Sequence, residues 1–170
     1  PVTTGAEALQ AAGLDWTVSY QSLADLAPSM STSTRAANLG FIVRDDITEP
    51  LGSSVKAGYS VQQNSVLGDL GEQVIDGFGG HFTNALVKGL GDTVALTVQL
   101  PQAVELGRGR KLCKNITLIK GHGGTGSIQA FAHDVDPSCT NQIVSMMLHG
   151  VNLVKIQHTA SADGKIRLAH

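Results

Sequence analysis

Between residues 83 and 135 four short runs rich in β-branched residues follow one another: "TNALVKGL", "DTVALTVQLP", "KNITLIKGH" and "SIQAFAHDV". Gly, Pro and polar residues separate them. Runs of this length and composition, bounded by turn residues, predict strands paired antiparallel as a meander. Ahead of them, "NSVLGDLGEQVIDGF" places Val66, Leu67, Leu70, Val74 and Phe78 at helical spacing. Asn64 or Ser65 suits its N-cap, and its two internal glycines suit close packing. Earlier still, "TGAEALQAAGLDW" reads as a short helix, capped by Thr4 with Glu7 three residues on and stopped by Gly13. Trp16, Val18 and Tyr20 then alternate as on a strand, "LGFIVRDD" and "EPLGSSVKAGYSVQQ" read as two more, and "APSMSTSTRAAN" reads as a loop. Near the end, "TNQIVSMMLHG" is expected to be a short helix and "VNLVKIQHTA" a last strand. The predicted order is helix, three strands, helix, four strands, helix, strand. That is an α+β fold, a mostly antiparallel sheet with two or three short helices packed on it, in one domain spanning residues 1–170.

Hydrophobic residues make up 42% of the 170, enough for a core, while charged residues are only 15%, against roughly 25% in an ordinary domain. So little charge favours packing against further copies, and a homo-oligomer is expected. The charges are also polarised. Residues 1–105 hold four basic and eleven acidic residues, a balance of −7, and residues 106–170 hold eight and three, a balance of +5. Such a chain either pairs its halves between subunits or offers the basic part to a polyanion. No apolar run reaches the roughly 18 residues that span a bilayer, and no signal peptide is visible at the start, so a cytoplasmic protein without a membrane partner is expected. Cys113 and Cys139 make no disulfide framework.

Three stretches invite chemical readings. "GHGGTG" lacks the Lys-Ser/Thr and the following helix of a phosphate-binding loop, and reads as a glycine hairpin. "HDVDPSC" brings His133, Asp134, Asp136 and Cys139 together in sequence, but without metal-ligand spacing. Cys139 near His133, His149 or His158 is short of an orienting partner and an oxyanion motif, and reads as a small buried hydrophobe. No catalytic residue, metal or cofactor is therefore expected. One basic segment remains, "GRGRKLCKNITLIK", with Arg108, Arg110, Lys111, Lys114 and Lys120. A loop of this kind neutralises phosphates without reading sequence, although single-strand binding also calls for exposed aromatics and the segment has none.

Five stretches resemble a known family in order. "AAGLDWTV" is similar to its opening helix and Trp strand, "LGSSVKAGYSVQQN" to its LG…Y…QN segment, and "GLGDTVALTVQLP" to its glycine hairpin and strand. "DPSCTNQI" is similar to its Cys-x-Asn helix start and "VKIQHT" to its His-Thr strand end. The chain thus resembles the phage/plasmid-like protein family, domain of unknown function 932. Its Trp-His-Gly-Leu-Gly segment and helical tail have no counterpart here, as in a short member, a fragment or a processed product. Its Asn-Ser-His-Asp-Gly loop stands as "KGHGGTG", keeping only His122. The resemblance implies a phage-, plasmid- or bacterium-encoded protein of DNA metabolism, in the cytoplasm or with the virion. The element order is also similar to that of single-strand annealing recombinases, a likeness of fold alone. Two functions stay open: a non-enzymatic oligomer that binds single-stranded DNA or RNA, and a structural self-assembling protein with no nucleic-acid role.

Overall fold

A computed structural model describes residues 1–30, 36–107, 110–124, 126–135 and 151–157. Helix α1 (Gly5–Ala11) starts where Thr4 Oγ1 accepts a hydrogen bond from the Glu7 amide at 3.4 Å, and Gly13 turns the chain out with φ +64°. Strand β1 (Val18–Ser22) follows, then a single turn of helix, α2 (Leu23–Leu26), which Ser22 caps by accepting from the Asp25 amide at 3.1 Å. Two 3-10 turns, Pro28–Met30 and Ala36–Asn38, flank the part of the Ser/Thr-rich stretch that lies outside the described residues. Strands β2 (Leu39–Arg44) and β3 (Pro50–Lys56) complete a three-stranded antiparallel sheet with β2 in the middle.

Helix α3 (Ser65–Phe78) leads into the larger sheet. Strands β4 (His81–Lys88), β5 (Thr93–Gly107), β6 (Arg110–Gly121), β7 (Ser127–Val135) and β8 (Val151–Gln157) lie in chain order, every pair antiparallel. The expected meander, its closing strand and the α+β class are all present. The helix expected over "TNQIVSMMLHG" lies outside the described residues, as do Asp136, Cys139, His149 and His158.

Helix α3 lies across β5 and β6 and against α1. Its Leu67, Leu70 and Val74 meet Val94, Leu96, Val98 and Leu118 from the sheet, and Trp16, Ile42 and Leu51 from the N-terminal half join the same core. Period-2 alternation then forces the intervening residues onto the opposite face, where Ala95, Ile119 and Phe131 form a second, smaller cluster. Two of the three glycines of α3, Gly68 and Gly71, are contact points. Gly68 meets the backbone of Gly5 in α1, and the Phe82 ring occupies the space a Cβ on Gly71 would need.

Two expectations are corrected. Strand β5 does not stop at Leu100-Pro101. The register slips between Gln99 and Ala103 and pairing with β6 resumes to Gly107. Pro101 is tolerated because the last β5 residue paired to β4 is Gln99, opposite His81, so the missing proline N–H falls beyond the neighbouring strand. The start of the basic segment is not a loop either. Arg110 and Lys111 belong to β6, continuous with Lys114 and Lys120, which the expected strand over "KNITLIKGH" already held.

Candidate functional site

Strand alternation sets the position of Lys120. Ile116, Leu118 and Lys120 share one face of β6, the first two belong to the main core, and Lys120 follows them inward to become 0% exposed. Its ammonium needs acceptors there, since an unpaired buried charge is very costly. They come from the chain just ahead of α3. Lys120 Nζ donates to the Gln62 carbonyl and lies 3.5 Å from Asn64 Oδ1 and 3.2 Å from His122 Nε2. Asn64 occupies the N-cap position of α3 but makes no capping bond with its side chain. It donates through Nδ2 to the Leu14 carbonyl at 3.0 Å instead, which fixes the amide so that Oδ1 faces His122 and Lys120.

This orientation decides where the protons sit. His122 Nε2 is 2.9 Å from Asn64 Oδ1, an acceptor, so Nε2 carries the hydrogen. That hydrogen is committed to Asn64, so His122 Nε2 offers Lys120 no acceptor, and the amine is held by the Gln62 carbonyl and Asn64 Oδ1 alone among these groups. Burial pulls the Lys120 pKa down to about 7. The His122 ring is covered by Trp16, with ring centroids 5.2 Å apart, and the Arg44 guanidinium stacks on Trp16 at 4.2 Å. Arg44 is held by Asp46 at 2.7 Å and by the Leu90 carbonyl at 2.6 Å, and its hydrogen bond lowers the Asp46 pKa. The glycine-rich turn closes over the other side. The His122 amide donates to the Asp92 carbonyl at 2.7 Å, and a Cβ on Gly52 would lie 2.7 Å from the His122 carbonyl.

A neutral amine is a nucleophile, but a nucleophile needs an approach. Lys120, Asn64 at 2% exposure and His122 at 5% are shut in. A cavity of about 210 Å³ between α1 and β4, lined by Val2, Ala8, Phe82 and Leu96 among others, involves none of them. The cluster is a buried polar clasp joining the large sheet to the segment before α3.

The sequence-predicted basic residues are thus separated. Lys120 is in the core and offers no surface charge. Lys114, exposed, stands on the same face of β6 six residues away, roughly 20 Å at strand rise, and opposite Asp134 in the register. Arg110 and Lys111 lie further along β6, opposite Gly107 and Glu105, and Arg108 is outside the described residues. Among the described residues β4 pairs with β5 only as far as Gln99, and β7 with β6 only from Cys113. Among the described residues the segments Val104–Gly107 and Arg110–Leu112 therefore pair only with each other, as a two-stranded ribbon.

His133, considered as ligand or base, faces the second cluster instead. Its Nε2 is 2.9 Å from Thr117 Oγ1, which is 2.7 Å from Thr97 Oγ1, and burial lowers its pKa. Asp134, next along β7, points to the opposite face. Among the described residues no three His, Cys, Asp or Glu side chains gather as a metal site. Sequence reasoning missed Gln62 and Asn64 as partners of a lysine. Three amides in a row at Gln62–Asn64, with no alternation to explain them, are the signal in retrospect.

Residues 51–170 match a family described as a domain of unknown function, DUF932. The chain belongs to the DUF932 family. The matched stretch runs from β3 onward, so all four clasp residues and the whole ribbon fall inside the DUF932 segment, while Trp16 and Arg44 precede it. No curated protein and no solved structure matches the chain. Among the described residues no helix is long and apolar enough to cross a membrane.

Proposed function

We propose that this DUF932 chain is a non-enzymatic, self-assembling protein that binds single-stranded nucleic acid along the β5–β6 ribbon, in phage or plasmid DNA metabolism within the cytoplasm. The observation that supports this reading is the ribbon itself. A paired, two-stranded extension carries Arg110 and Lys111 past the last described pairing of β7, with Lys114 exposed toward its base. Charge on such an extension reaches a sugar-phosphate backbone without requiring a cleft, and phosphate contacts of this type position a strand without selecting its sequence. Low overall charge and the −7/+5 division supply the argument for assembly.

Replacing Arg108, Arg110 and Lys111 together by Ala removes three phosphate contacts. The expected result is weaker binding to oligonucleotides of any sequence and a log–log salt slope flatter by roughly two to three units, measured by fluorescence anisotropy. Arg110 and Lys111 lie on a strand, so circular dichroism should accompany the titration to establish that the variant is folded. An unchanged affinity and slope in a folded variant removes the ribbon from the interface. Absence of binding by the parent at low salt leaves assembly alone as the function.

A further inference from the structure

Single-strand binders combine backbone charge with aromatic faces on which bases stack, and the basic segment contains no aromatic residue. The fold brings one to it. Phe78 is the last residue of α3 and is 64% exposed, well above Leu26, Val87 and Leu90, the other large hydrophobics exposed among the described residues. Its place is fixed by the two glycines that follow. Gly79, at φ +75°, sits against Pro101, a Cβ there lying 3.4 Å from Pro101 Cγ. Gly80, at φ +111°, passes so close to the Gln99 carbonyl that a Cβ would lie 2.1 Å from it. Gln99 is where β5 leaves β4, and Pro101 is the exposed first step toward the ribbon. The end of α3 is therefore pressed onto the root of the ribbon, with the Phe78 ring outward.

We infer that Phe78 is a base-stacking platform for the single strand that the ribbon holds, an assignment that rests on the ribbon reading. The electrostatics of the position select a base over a phosphate. A helix C-terminus presents the negative end of the peptide dipoles, which disfavours phosphate and leaves the uncharged face of a base as the better occupant. Every base has such a face, so the platform tolerates any sequence, in keeping with phosphate contacts that carry no sequence information.

Phe78→Ala is the test, with oligo(dT) as probe. Affinity should fall about five- to a hundred-fold, the range of one lost stacking contact, while the salt slope stays at the parent value because no charge is removed. Phe78→Trp should keep the affinity and show emission quenched by saturating oligo(dT). The protein's single other Trp, Trp16, is buried and provides a constant background. Parent-like affinity in Phe78→Ala overturns the platform but leaves the ribbon standing. A Phe78→Ala variant that binds oligo(dT) normally and sediments at a smaller mass makes the ring a subunit contact and overturns the inference. A parent that fails to bind at low salt overturns ribbon and platform together.

Discussion

Lys120 is where the sequence was most misleading, and the reason is local. A lysine among four other basic residues in thirteen positions reads as surface, yet strand parity with Ile116 and Leu118 carries it inside. Parity was available in "NITLIK"; the acceptors were not, because Gln62 and Asn64 lie 58 and 56 residues away. Asn64 misled in the opposite sense, being read as a helix cap when its amide is committed to Leu14 and His122. The buried amine has a consequence for stability. In the unfolded chain Lys120 holds its proton up to about 10.5, in the folded chain only below about 7. Between those values the unfolded state binds more protons, so raising pH through that window stabilises the fold, and below it the penalty is constant. Lys120→Met removes the titration. Parent stability relative to this variant should rise by on the order of 3 kcal/mol from pH 7 to pH 10 in urea denaturation. A difference that stays flat across that range means that Lys120 is charged in the folded protein.

Elements with apolar periodicity were legible, and those held by other means were not. Alternating β-branched residues announced β4 to β7, and helical spacing announced α3, because each buries one face. Among the described residues the ribbon pairs with no third strand, and Pro101, the nearby glycines and the charges gave it the look of a loop. The glycines of α3 were legible as weak points but not by role, since only what packs against them separates Gly68, pressed to Gly5 of α1, from Gly77. A Cβ on Gly5 would sit 2.4 Å from the Gly68 backbone, while one on Gly77 meets nothing within 4 Å. Gly5→Ala should therefore destabilise by about 1–3 kcal/mol through overpacking, although Ala is the better helix former. Gly77→Ala should stabilise by up to about 1 kcal/mol. Thermal unfolding of the two variants checks both signs, and a gain from Gly5→Ala would mean that α1 is not pressed against α3.

For the whole molecule, the argument for assembly comes from composition, and it gains a surface from the fold. Strand β4 is an edge of the large sheet, and Val87 on it and Leu90 in the following turn are exposed. Edges of this kind invite pairing with another chain. Contacts between oppositely charged regions of two copies would be screened by salt, edge pairing much less so. Sedimentation should show an oligomer at low salt whose mass falls as salt is raised. A monomer at every salt concentration overturns the assembly reading, and an oligomer insensitive to salt transfers the contact from the charged regions to the β4 edge.

The opposite treatment is given to the outer edge of β1. Gln63 accepts from the Val18 amide at 3.0 Å and donates to the Val18 carbonyl at 2.8 Å, so one side-chain amide imitates the strand that would otherwise dock there. Gln63 stands between Gln62 and Asn64, which hold Lys120. Loosening of the clasp before α3 would draw Gln63 off β1 as well, so exchange of the Val18 amide, on the rim of the small sheet, becomes a reporter on a lysine buried beneath the large one.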